Sequence, residues 1–137
     1  SVGKELLKEH ISYGPLVQKL LKKFNLAPRT SPLSPVKAFA HITGGGFVDN
    51  IPRVLPKSLD VVIKKGSWDM LPIFQIIEQK SGVPDEELYQ VFNMGIGMVT
   101  IVSADKADAA LKFIQAQQHK AWIIGEVVKG KGEARVE

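Results

Sequence analysis

Cysteine is absent from the 137 residues, which excludes disulfides, thiolate zinc sites and a cysteine nucleophile, and fits a cytoplasmic location. Any metal would have to be held through oxygen or histidine. No stretch approaches the roughly 18 uninterrupted apolar residues of a membrane helix, and the opening SVGKELLKEH lacks the apolar centre of a secretory signal. A soluble chain with no membrane partner is expected. Internal repeats and low-complexity tracts are missing too. The net charge of +4 is modest. Lys4, Lys8, Lys19, Lys22, Lys23 and Arg29 are spread around two helical segments as a solvated face, not gathered into a basic stripe with interleaved aromatics, so no nucleic acid partner is expected. There is no Ser/His/Asp set, no pair of carboxylates at catalytic spacing and no HExxH, so no metal site is expected.

What is present suits one globular domain, with 45% hydrophobic and 23% charged residues. Residues 4–24 read as helix in two pieces, with Pro15 suited to a first turn and Val17, Leu20, Leu21 and Phe24 on one face. NLAPRTSPLSP, residues 25–35, reads as an exposed loop. Strands are expected at 36–42, 59–64, 97–103 and 121–129, with a short one at 134–136. Helices are expected at 47–54, 68–80 and 84–91, and after Ser103, a suitable N-cap. This alternation implies mixed α and β structure with helices laid on a sheet.

Two glycine clusters interrupt that pattern. In AHITGGGFVDNIPRVLP, residues 40–56, Thr43, Gly44, Gly45 and Gly46 lie between a strand end and a helix start. Such a turn presents several N–H groups to an anion, or simply bends the chain. Its spacing matches neither the phosphate loop GxxxxGK[ST] nor the dinucleotide fingerprint GxGxxG. His41 suits a general base, a metal ligand or a buried polar residue, and no second histidine is near it in sequence. Asn50 carries both a donor and an acceptor and is the better residue to orient a ligand. Arg53 has the spacing to pair with Asp49 on a helix or to reach a bound anion. In FNMGIGM, residues 92–98, Gly95 and Gly97 leave one strand face bare for a ligand, another backbone or a tight bend, with Asn93 as the polar group at that approach.

Taken together, VKAFAHITGGGFVDNIPRVLP (36–56), Trp68 with Phe74, FNMGIGM (92–98) and AWIIGEV (121–127) closely resemble the C-terminal domain of aminoimidazole ribonucleotide synthetase, the phosphoribosylformylglycinamidine cyclo-ligase family. LLKEHISY stands where that family usually has a proline-threonine or proline-histidine segment ending in tyrosine, and Glu9 replaces the proline. The resemblance implies an α+β fold, three layers of α/β/α about a central mixed sheet, partly ferredoxin-like. It implies that residues 1–137 are a C-terminal domain without the N-terminal ATP domain and without the G-x-H-[ST]-N-G-Y-S segment that opens the C-terminal one.

The activity implied is ATP-dependent closure of the imidazole ring of formylglycinamidine ribonucleotide in purine biosynthesis. The formyl oxygen is activated by phosphoryl transfer, a substrate nitrogen attacks, and phosphate leaves. ATP and Mg2+ would serve the full-length enzyme, as a homodimer, with neither bound by these residues alone. The phosphorylated substrate would meet Thr43, Gly44, Gly45, Gly46 and Asn50, with His41, Arg53, Asn93, Gly95 and Gly97 behind them. The alternatives are a stand-alone anion-binding or regulatory module without catalysis, and another member of the same ATP-dependent superfamily.

Overall fold

The computed structural model describes residues 2–8, 10–25 and 34–137. Among these described residues six α-helices and five strands follow in the order α1 (Val2–Leu6), α2 (Gly14–Phe24), β1 (Val36–His41), α3 (Gly46–Asn50), β2 (Leu59–Ile63), α4 (Pro72–Ser81), α5 (Asp85–Val91), β3 (Met98–Val102), α6 (Ala107–Ala116), β4 (Gly125–Lys129) and β5 (Ala134–Val136). The strands form two small sheets. β1 pairs antiparallel with β3, His41 lying opposite Met98. β2 is the centre of a mixed sheet, antiparallel to β4 and parallel to β5. The fold is thus mixed α and β with a mixed sheet, and the strands are divided between two sheets instead of one.

The core lies where the two sheets meet α3 and α5. Phe47 and Ile51 are fully enclosed, with Ile42, Ile63, Leu88 and Met94 almost so. Each such side chain contributes about 1.5–3 kcal/mol relative to exposure. Phe47 sits between Trp68, 5.6 Å away between ring centres, and Tyr89 at 6.3 Å. The Trp68 indole N–H donates to Met94 O at 3.0 Å, so burying that ring leaves no unpaired donor. α2 packs on α6 through Phe24 and Phe113, 5.8 Å apart and edge-on.

Three local expectations are revised. β4 begins at Gly125, not Ala121; before it, Ile124 O accepts from Lys64 N without a continuous ladder. Ser103 does not cap a helix with its side chain: its Oγ and its N–H both donate to Pro35 O, and one 3-10 turn at Ala104–Lys106 precedes α6. Of the loop expected at 25–35, residues 26–33 lie outside the described residues, as does Glu9. Asn25, expected to be exposed, is buried. Its amide donates to Val36 O at 2.9 Å while its Oδ1 accepts from Val36 N at 3.0 Å, which fixes the start of β1 to the end of α2.

Candidate functional site

The three glycines after β1 have three different surroundings. Gly46 N donates to Thr43 O at 3.1 Å and closes the turn. Gly46 has φ +52°, and a Cβ there would lie 2.0 Å from Tyr89 O. Its bareness lets α3 rest on the backbone at the end of α5. Gly45, at φ +99°, precedes α3, and a Cβ would crowd the Asp49 Cβ at 2.8 Å. Both conformations lie in the left-handed region that favours glycine. Gly44 has no such need, since a Cβ there would meet nothing within 4 Å.

Asn50 braces this turn from inside. Its buried amide donates to Gly46 O at 2.8 Å and Gly44 O at 3.2 Å, and its Oδ1 accepts from the Thr43 hydroxyl at 3.4 Å. The residue expected to orient a ligand therefore orients the loop. Arg53 is exposed, and among the described residues no ion pair joins it to Asp49.

Outside the turn is an open cleft of about 700 Å³, lined by Gly44, Gly45, Asp49, Glu86, Glu87 and Gln90 with Pro84 and Val91. Its charge is acidic. Glu86 and Glu87 stand in the first turn of α5, where carboxylates favour the helix's positive end, and Asp49 faces them from α3. Such a flank suits a cationic or neutral group, and a bare phosphate on this side would meet three like charges.

The second glycine cluster is a corner. Asn93 Oδ1 accepts from Gly95 N at 3.0 Å and Asn93 O from Ile96 N at 2.9 Å. Met94 (φ +48°) and Gly95 (φ +94°) turn the chain so that Met94 and Ile96 enter the core. The bare face of Gly97 is taken by a side chain: a Cβ there would lie 2.3 Å from the Tyr13 hydroxyl oxygen. Burial raises the pKa of that hydroxyl above the usual tyrosine value.

Tyr13 brings His10 with it. The His10 and His41 rings lie 5.7 Å apart between centres, and Tyr13 is 6.5 Å from His10 and 6.2 Å from His41, all edge-on. His41 thus has a second histidine beside it in space, though none is near it in sequence. The two lie thirty-one positions apart in sequence, on either side of α2, so no spacing rule reveals them. Among the described residues, no group of three or more His, Asp or Glu side chains converges to hold a metal.

Sequence reasoning also missed Asp60. This buried carboxylate accepts from three successive N–H groups at one oxygen, Lys131 at 2.7 Å, Gly132 at 3.0 Å and Glu133 at 2.9 Å, while Arg135 donates to the other at 3.1 Å. A Cβ at Gly130 would collide with the same carboxylate. The Glu133 N–H, then the Lys131 N–H, hold its pKa below the ordinary carboxylate value against partial desolvation. The alternation of glycine and charge in GKGE was the only visible trace of this clasp.

These segments recur in known proteins. The family described as "AIR synthase related protein, C-terminal domain" matches residues 4–137. Proteins named phosphoribosylformylglycinamidine cyclo-ligase are 44% identical in Geobacillus thermodenitrificans, over 96% of this chain and 35% of the relative, and 44% identical in Caldicellulosiruptor saccharolyticus, over 96% and 36%. The chain therefore spans about a third of the length of the curated relatives it matches. Among solved structures, the hydrogenase maturation protein HypE of E. coli matches with a TM-score of 0.60 and 25% identity, over 97% of this chain and 40% of that one. With the family's pattern covering nearly every residue and the glycine turn, the acidic cleft and the Gly97 corner all inside it, the chain belongs to the AIR synthase related protein family, as its C-terminal domain.

Proposed function

We propose that the chain is the C-terminal part of an ATP-dependent cyclo-ligase that closes the imidazole ring of formylglycinamidine ribonucleotide in purine biosynthesis. The observation that carries this reading is 44% identity to enzymes of that name across 96% of the chain. In this reading ATP and Mg2+ belong to the part of the enzyme outside these residues; among the described residues no three His, Asp or Glu side chains converge as a metal site requires. The homodimer and a cytoplasmic location belong to the same reading of the full-length protein.

This domain's share is substrate positioning. Thr43 and Gly44 form the accessible part of the turn and contact the substrate, while Gly45, Gly46 and Asn50 hold its shape. The acidic flank of Asp49, Glu86 and Glu87 complements the cationic amidine, and directs the phosphate to the other side, where groups from the rest of the enzyme neutralise it. His41, Arg53, Asn93, Gly95 and Gly97 support the turn and the corner behind it.

Gly44 is the position that tests this cleanly, because a side chain there meets no neighbour within 4 Å whereas one at Gly45 or Gly46 strains the backbone. In the full-length enzyme, Gly44→Val is expected to raise KM for the ribonucleotide about tenfold with the melting temperature unchanged. An unchanged KM in a normally folded variant would remove the turn from the substrate site.

A further inference from the structure

The reading above gives His41 only a supporting role and His10 none, and the spacing of their two rings fits a shared metal ion. Two imidazoles that share one tetrahedral ion, each through a nitrogen at about 2.0–2.1 Å, have ring centres about 5–6 Å apart. Here the separation is 5.7 Å. Both side chains are exposed, so an ion and its remaining water ligands can reach them. They are two of only three histidines in the chain, brought together from the segment before α2 and the end of β1.

We propose that His10 and His41 form a two-imidazole site for a borderline divalent transition ion such as Zn2+, Ni2+ or Cu2+, with Tyr13 walling one side and water filling the open positions. Imidazole nitrogen selects these ions over Mg2+, which takes oxygen ligands, so the site is separate from any magnesium used with ATP. The bound ion ties the N-terminal segment to the end of β1, two residues before Thr43, and does so whether or not the proposed ring closure is this protein's activity.

Edge-on packing of two rings also occurs at this separation without any ion, and phenylalanine would serve that purpose as well as histidine. The experiment uses this difference. Zn2+ is titrated into the purified protein by calorimetry, with Co2+ absorption as a second reading of coordination. One saturable site per chain is expected. His10→Phe and His41→Phe each weaken it at least about tenfold, as loss of one of two protein ligands requires, while His119→Phe leaves it intact. Excess Mg2+ does not compete. In the unsubstituted protein, the His10 and His41 ring resonances shift together on adding Zn2+, a reading that needs no variant. Absence of saturable binding, or binding retained in both His10→Phe and His41→Phe, would overturn the proposal.

Discussion

Two glycine-rich loops in this protein look alike in sequence and differ in what they hold. At GKGE, residues 130–133, three consecutive N–H groups point at one oxygen, and the anion that fills the cradle is the chain's own Asp60. At TGGG, residues 43–46, the glycines make room for backbone: Gly46 for Tyr89 O and Gly45 for the start of α3. The first loop is a closed anion nest; the second is a turn braced by Asn50, with one unconstrained glycine beside an acidic cleft. Glycine therefore marks close approach in both, without saying what approaches.

The sharpest way to break this contrast is Gly46→Ala. A side chain at φ +52° and 2.0 Å from Tyr89 O adds backbone strain to overpacking, and a loss of about 3 kcal/mol or more is expected in urea denaturation. If the variant melts like the parent, the glycines are not architectural. Asn50→Ala comes next, since it removes the side-chain donor to the carbonyls of Gly44 and Gly46. About 1–3 kcal/mol should be lost, with faster amide exchange at Gly46.

The smallest effect concerns the other loop and depends on pH. Because the Asp60 pKa is lowered by folding, the stability it contributes is complete above the ordinary carboxylate range and disappears as pH falls through its depressed value. Protection of the Lys131, Gly132 and Glu133 amides should therefore fall over that acid window in the parent. In Asp60→Asn it should already be reduced at neutral pH and show no such step. Identical acid profiles for the two proteins would show that the nest does not depend on the charge.

How much of this was legible follows from which forces are local. Val17, Leu20, Leu21 and Phe24 repeat at helical spacing, and α2 forms where they predict. β1, β2, β3 and β5 likewise appear within a residue or two of their β-favouring runs. AWIIGEV reads as strand from its start, but Trp122 and Ile124 pack on the core without a partner strand and Ile123 is exposed. Asn50 suits a ligand and Asn93 suits either a ligand or a tight bend, yet each bonds within its own loop, a choice that composition does not encode. His10 beside His41, and Asp60 under Glu133, arise only when distant segments meet. Nothing in the neighbours of either residue announces its partner.

The strand registers carry a kinetic consequence. His41 faces Met98, Ile63 faces Gly125 and Val61 faces Ala134, so each ladder joins positions roughly sixty to seventy residues apart, and among the described residues no strand forms a hairpin with the next. Loop-closure entropy must be overcome before any ladder gains a hydrogen bond, which places folding toward the slow end for a single domain. Until β4 and β5 reach β2, that strand presents two unpaired edges carrying Val61, Val62 and Ile63, and for that interval pairing with another chain competes with folding.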